Sequence, residues 1–273
     1  MRVGFIGLGI QGGPMARRIA EAGHPTTLWA RRPEALEPFR DTGAAYAGSP
    51  AELAAASDLV CLCVVSDNDV REIITRPDGV LAGLRPGGVI AVHSTVHPDT
   101  CVELAETVRA QGVSLIDAPV SGGGPAAAAG TLLVMVGGDE PDVQRCRPVF
   151  DSYARQVVHL GAVGAGQVTK IINNLLFTAN LATAVSTLRL GESLGLDPKR
   201  LGELISQGTA NSFALGRVVA GGGLDSIAQH AAGLLRKDVD LAADLAARAG
   251  TKDGIVFDAA QDTLSVMDRL LGN

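Results

Sequence analysis

The sequence predicts an α/β fold, a doubly wound and mainly parallel sheet followed by an all-helical domain. Three observations predict it. Short runs rich in Val, Ile and Leu alternate with helical runs as far as about residue 160. Strand-like runs then almost vanish after Val163, and the glycine-rich stretch LGAVGAGQ stands between the two regimes. The boundary is placed at 162/163, giving an α/β domain over 1–162 and a helical domain over 163–273. At 273 residues the chain is long enough for both.

Strands are expected at Val3–Ile6, Thr26–Trp29, Leu59–Val65, Val89–Val92, Ser114–Asp117, Leu132–Val136 and Val157–Leu160. Helices are expected between them at Pro14–Ala22, Pro50–Ala56, Asp69–Thr75, Asp99–Ala110 and Glu140–Tyr153. The start SPAEL is a strong helix signal, with Ser49 as cap, Pro50 in the first turn and Glu52 placed for a capping box. In the second half, Gln167–Leu194 reads as one long helix rich in alanine and leucine. Pro198–Gln207, Ile227–Ala249 and Val256–Leu271 follow it. The stretch GPAAAAG at Gly124–Gly130 is the one low-complexity patch and is too short for a linker.

Composition narrows the function. Hydrophobic residues are 47% of the chain, aromatics only 3%, and mean hydropathy is +0.24, which suits a tightly packed aliphatic core. No run reaches the ~18 uninterrupted apolar residues of a membrane span. The start MRVGFIGLG makes a poor signal peptide, so a cytoplasmic protein with no membrane partner is expected. A net charge of −6 argues against nucleic acid as main partner. The cysteines, Cys61, Cys63, Cys101 and Cys146, form neither a CxxC pair nor a His/Cys cluster, so reduced buried thiols and no metal are expected.

The first motif is VGFIGLGIQGGPMARRIA. Gly7, Gly9 and Gly12 stand in G-x-G-x-x-G spacing between a strand and an amphipathic helix. The first glycine permits a tight turn, the second lets the backbone approach a pyrophosphate, and the third allows close helix–strand packing. The helix N-terminus then meets negative charge. Gly7, Leu8, Gly9, Ile10, Gln11 and Gly12 are thus the expected dinucleotide cradle; an ordinary strand–helix turn is the alternative. At the end of the second strand, NAD enzymes usually carry an acid for the ribose hydroxyls. Here the sequence is LWARRPEAL, with Arg31 and Arg32 at the tip. Guanidinium groups suit a 2′-phosphate, so NADP is expected, with NAD as the alternative.

Two further stretches carry candidate chemistry. In DAPVSGGG, Pro119 stiffens the exit from a strand, and Ser121, Gly122 and Gly123 offer a hydroxyl and uncovered backbone N–H groups to a small carboxylate. A flexible loop is the competing reading. In GAGQVTKIINNLL, Lys170, Asn173 and Asn174 share one helical face, while Ile171, Ile172, Leu175 and Leu176 fill much of the rest. A cation desolvated among aliphatics loses proton affinity and becomes a practical acid/base near neutrality. The histidines of HSTVHP, His93 and His97, read as structural.

Four segments in order, GFIGLGIQGGPMA, DAPVSGG, GAGQVTKIINN and KDVDLA at Lys237–Ala242, resemble the β-hydroxyacid dehydrogenases over nearly the whole chain. That group includes 3-hydroxyisobutyrate dehydrogenase, tartronate semialdehyde reductase and glyoxylate/succinic semialdehyde reductase. The resemblance implies a Rossmann-type domain and a helical domain joined by a long helix, with NADP(H)-linked interconversion of a small β-hydroxyacid and its semialdehyde or keto acid. It also implies Lys170 as general acid/base and Asn174 as the residue that orients substrate or lysine. Ser121, Gly122 and Gly123 would hold the carboxylate, and Thr95 and Lys237 would line the nicotinamide side. A helix-surface ion pair is the alternative for Lys237 and Asp238.

The chain departs from the family pattern in places. Gln11 stands where methionine is usual, Ala30 where asparagine is common, and His230 where a phenylalanine often lines the substrate pocket, which bears on substrate identity. Imine reductases have a similar fold but usually replace the lysine, and a cofactor-binding module without turnover is a third reading. The apolar long helix and the family habit imply a homodimer or homotetramer.

Overall fold

A computed structural model of the chain describes residues 1–251 and 254–272. It divides into two compact units, Met1–Lys170 and Ile171–Asn273.

The first unit contains β1 (Val3–Ile6), α1 (Gly12–Glu21), β2 (Thr26–Trp29), β3 (Ala45–Tyr46), α2 (Pro50–Ala55), β4 (Leu59–Leu62), α3 (Asp67–Thr75), α4 (Val80–Gly83), β5 (Val89–Val92) and α5 (Pro98–Arg109). It continues with β6 (Ser114–Asp117), β7 (Val120–Ser121), α6 (Gly123–Ala129), β8 (Leu132–Val136), α7 (Glu140–Phe150) and β9 (Ala154–His159). Six strands form one parallel sheet in the order β3-β2-β1-β4-β5-β6. Strand periodicity divides its side chains between two cores. Phe5, Leu28, Cys61 and Ala91 face one, whereas Ile6, Leu62, Ile90 and Val92 face the other. Burial on both faces explains why these strands read as continuous apolar runs.

The sheet is thus the predicted Rossmann-type core, with one difference. β8 and β9 belong to a second, three-stranded sheet in which β7 pairs antiparallel with β8 and β8 pairs parallel with β9. An antiparallel bridge from Asp117 to Gly137 links the end of β6 to the end of β8. The alanine-rich patch is also more than a loop, because α6 occupies it. At α2, Ser49 accepts the Glu52 backbone N–H at 3.1 Å as expected, but the Glu52 carboxylate reaches Gly48 N rather than completing the box. The full capping box forms at Ser66 and Asp69, where α3 starts two residues earlier than predicted.

The long helix α8 spans Ala165–Ser193, and α9 (Pro198–Ile205), α10 (Phe213–Gly221), α11 (Asp225–Arg248) and α12 (Ile255–Leu271) complete the all-helical region. Ile171, Leu175, Ala179 and Leu181 of α8 pack with Leu215, Val239, Leu264 and Met267 in one core. The Thr263 hydroxyl, buried on α12, donates to Thr178 O at 2.6 Å and accepts Ala182 N–H at 3.0 Å, fastening α8 at its middle. By length and composition alone α8 could cross a bilayer; 39% of its most apolar window is buried inside the protein. Helix α10 was not anticipated. Its cap, Ser212 Oγ accepting Leu215 N–H at 3.1 Å, is the local signal for it.

Candidate active site

The strand order reverses direction at β1, whose neighbours are β2 and β4, and the glycine loop leaves β1 at that switch point. In open α/β sheets this is where the crevice for a ligand lies. Gly7 has φ of +100°, and a Cβ there would sit 2.2 Å from Cys63 O. A Cβ at Gly12 would meet Gly7 O at 2.0 Å and Phe5 Cε1 at 3.0 Å, so this glycine lets α1 press against the sheet. Around Gly9 a Cβ would meet nothing within 4 Å, which leaves open space in front of the first turn of α1. That turn has neither a capping side chain nor an acid, so its N–H groups suit a pyrophosphate. Ile10 is 81% exposed on the loop and Val65 is 66% exposed just beyond β4, apolar surface suited to rings at the strand ends. These residues fit a dinucleotide.

Arg31 and Arg32 are both exposed at the end of β2. Arg31 is not idle there: its Nη2 lies 3.2 Å from Asp69 Oδ1 and 3.3 Å from Glu72 Oε2 on α3. Asp69 is held below its ordinary carboxylate range by the Ser66 hydroxyl first and by Arg31 second. A ribose phosphate would therefore compete with two acids for this guanidinium. Gln11 places its amide 3.9 Å from Met15 Sδ.

The serine–glycine turn lies against the glycine loop. Gly122 has φ of +130°, and a Cβ on Gly124 would fall 2.8 Å from Ile10 O. Only glycine therefore lets α6 come so near the dinucleotide loop. Ser121 ends β7, and Gly123 opens α6. Thr95 follows β5 between two pinned neighbours. The Ser94 hydroxyl accepts Val64 N–H at 2.8 Å, Ser94 O accepts Gln167 Nε2–H at 2.8 Å, and Val96 N–H reaches Gln167 Oε1 at 3.1 Å.

Two residues behind this turn were not singled out from the sequence. Asp117 is fully buried at the end of β6 and accepts Gly164 N–H and Gln167 N–H, each at 2.7 Å. Burial pushes its carboxyl up to about 6, against the opposing pull of these donors. Gln167, also fully buried, sits one turn ahead of Lys170 on α8. Lys170 itself is only 9% exposed. No property of composition or spacing identifies which buried amide a carboxylate will find, so only the motif DAPVSGG could have drawn attention to Asp117.

Asn174 lies one helical turn beyond Lys170 on α8. In the helical unit its Nδ2 donates to Asp238 Oδ2 at 2.6 Å, while its Oδ1 accepts from Asn173 Nδ2 at 3.0 Å. Lys237 Nζ lies 2.9 Å from Asp238 Oδ1, yet that buried oxygen accepts no well-directed hydrogen bond, so the contact is an ion pair. Asp238 is 4% exposed and joins the two predicted residues Asn174 and Lys237. His230 is exposed on α11, its Nδ1 2.8 Å from Ser226 O. A separate cavity of about 480 Å³ in the helical unit, between Leu188, Val218 and Leu270, contains none of the predicted site residues.

His93 is a core residue. Phe5 stacks on its ring, Phe150 and Tyr153 meet it edge-on, its Nδ1–H donates to Ala118 O at 2.6 Å, and burial lowers its pKa to about 4. The cysteines are free thiols, with Cys63 pushed up to about 12 by burial. Among the described residues no three potential metal ligands gather.

Comparison with known proteins agrees with this geometry. Residues 2–161 match the family model for the NAD binding domain of 6-phosphogluconate dehydrogenase. Residues 164–272 match the model for the NAD-binding domain of NADP-dependent 3-hydroxyisobutyrate dehydrogenase. An uncharacterized oxidoreductase of Mycobacterium tuberculosis is 37% identical over 250 residues, covering 88% of this chain and 84% of the relative. The 3-hydroxyisobutyrate dehydrogenase of Pseudomonas aeruginosa is 37% identical over 213 residues, 78% of this chain and 72% of that enzyme. The solved structure of 3-hydroxyisobutyrate dehydrogenase from M. tuberculosis with L-serine superposes with a TM-score of 0.85 at 31% identity, covering 98% of this chain and 94% of that one.

Proposed function

The chain belongs to the β-hydroxyacid dehydrogenase family that includes 3-hydroxyisobutyrate dehydrogenase, NAD(P)-dependent oxidoreductases acting on CH–OH groups, and from that premise we propose that it interconverts a small β-hydroxyacid and its semialdehyde or keto acid with preference for NADP(H). The observation that carries this reading is Lys170, buried on α8 one turn after a fully buried glutamine that brackets Thr95.

In the reductive direction, Lys170 Nζ–H gives its proton to the substrate oxygen as the carbonyl becomes an alkoxide; in oxidation the neutral amine takes the hydroxyl proton. The nicotinamide, when bound, supplies or accepts the hydride. Asn174 presents an amide whose direction is set by Asp238, because an ionised carboxylate can only accept. The Ser121 hydroxyl and the backbone N–H groups of Gly122 and Gly123 hold the substrate carboxylate, and His230 borders the remainder of the substrate. The loop Gly7–Gly12 with α1 holds the pyrophosphate, and Thr95 and Lys237 flank the nicotinamide. Arg31 and Arg32, with no acid at the tip of β2, support selection of the 2′-phosphate.

Self-association is part of the proposal. Ile172, Leu176 and Leu190 on α8, Leu194 in the turn just after it and Phe213 on α10 are exposed, which is costly surface for an isolated chain. A dimer or tetramer would cover it.

The test is a screen of purified protein with NADP and NAD against glycerate, 3-hydroxyisobutyrate, 4-hydroxybutyrate, serine and the matching semialdehydes. Turnover of at least one such acid, faster with the phosphorylated cofactor, is expected. Absence of turnover on every member of the panel, or activity confined to cyclic imines, overturns the reading.

A further inference from the structure

We propose that Asp117 is a positioning residue of this reaction: one buried carboxylate at the end of β6 fixes the first turn of α8, which carries Lys170, and fixes Thr95 through Gln167. The inference rests on the reading of Lys170 as acid/base.

The geometry is specific. The two carboxylate oxygens are divided between two amides, Oδ1 accepting Gly164 N–H and Oδ2 accepting Gln167 N–H. Both amides belong to the start of α8, so the side chain caps a helix from another element. Space for the carboxylate is made by two glycines: a Cβ on Gly137 would lie 2.4 Å from Oδ1, and one on Gly166 2.8 Å from Oδ2. The Asp117 main chain is fixed as well, exchanging N–H···O bonds of 3.0 and 2.8 Å with Gly137. Gln167 extends the anchor through its two bonds to Ser94 and Val96.

Asp117 is also the residue from which Ala118, Pro119, Val120 and Ser121 depart. The serine turn, Thr95 and the lysine-bearing turn thus meet at one side chain. Lys170 stands three residues past Gln167, roughly 4.5 Å along the helix axis and on the same side. A shift of about 1 Å at a reacting group can cost on the order of 100-fold in rate, so a carboxylate that sets this turn has leverage on catalysis without touching substrate. The group facing Asp117 from α5 is the Cys101 thiol, which burial keeps protonated; Asp67 and Arg71 of α3 act on that same thiol.

Asp117→Asn keeps the shape but replaces one acceptor by an NH2 that opposes a backbone N–H. The expected result is a folded enzyme whose kcat falls about 10- to 100-fold, with NADP(H) affinity within about 3-fold. In amide NMR of the wild type, the Gly164 and Gln167 protons are expected downfield and titrating near pH 6, the value to which burial brings this carboxyl, and the variant is expected to lose that titration. A folded variant with wild-type kcat overturns the inference. If Asp117→Asn does not fold, Gln167→Ala, which keeps the backbone bond to Asp117, is expected to lower kcat by about 10-fold, and an unchanged kcat there counts equally against it. Failure of the wild type to turn over any substrate would strike the Lys170 reading instead. The amide titration would then still decide whether the carboxylate anchors α8.

Discussion

Asn174 Nδ2 and Asp238 Oδ2 are 2.6 Å apart, a short charge-assisted contact between α8 and α11 that fixes which way the Asn174 amide faces. Asp238 in turn holds Lys237 by an ion pair. Asp238 thus bridges Asn174 and Lys237, two residues that the sequence assigns to the site.

Asp238→Asn is therefore expected to let the Asn174 amide rotate while preserving volume. The predicted outcome is a loss of about 10-fold in kcat/KM for the acid substrate, the cost of one charge-assisted hydrogen bond. Steady-state kinetics beside a melting curve checks this. An equal loss in Asn174→Ala and in the double variant would show that the two residues act as one unit.

The arginine at the tip of β2 gives a paired prediction. Arg31→Asp is expected to lower the NADPH/NADH preference by at least about 10-fold, because a carboxylate favours ribose hydroxyls and repels phosphate. Glu72→Gln, which releases Arg31 from one of its acids, is expected to move the preference the other way by about 2- to 3-fold, in the range of an exposed ion pair. Cofactor titrations of both variants check this. A ratio unmoved by Arg31→Asp removes that residue from the phosphate site.

Two buried groups give opposite pH dependences of stability. His93 titrates near 4 in the folded protein against an ordinary 6.5, so the unfolded chain binds the proton first and stability rises with pH across that window. Asp117 titrates near 6 against an ordinary 3.8, so the folded protein binds the proton first and stability falls as pH rises through that window. Each effect is of the order of 3 kcal/mol. Urea unfolding of Asp117→Asn, referred to wild type, should gain stability from about pH 4 to 6, and His93→Phe should lose it over about pH 4 to 6.5. Differences independent of pH would contradict both assignments.

Much of this was legible in the sequence, for definite reasons. The glycine loop could be read because its first and third glycines answer steric demands that now have named partners, Cys63 O for Gly7 and Gly7 O for Gly12, while Gly9 faces open space. Strands buried on both faces announce themselves as apolar runs, and the long helix begins within two residues of its predicted start. Strand partnership was not legible. The runs at Leu132–Val136 and around Val157 signal strands but not that they leave the main sheet, since pairing is set by distant chain segments. Helix α6 was missed because GPAAAAG has no apolar period, only alanine propensity bounded by glycines. Asp117, Gln167 and the role of Asp238 were missed for a related reason: each acts through a partner 50, 71 or 64 residues away.

In the proposed reaction the amine of Lys170 moves the proton. The most direct measurement is turnover by Lys170→Ala with NADPH and the best substrate from the screen, beside cofactor binding and a melting curve. The expected result is a folded variant that binds NADPH within about 3-fold of wild type and whose kcat is lower by roughly 10²- to 10⁴-fold, the loss of a positioned acid/base. A folded variant that keeps wild-type kcat would contradict it.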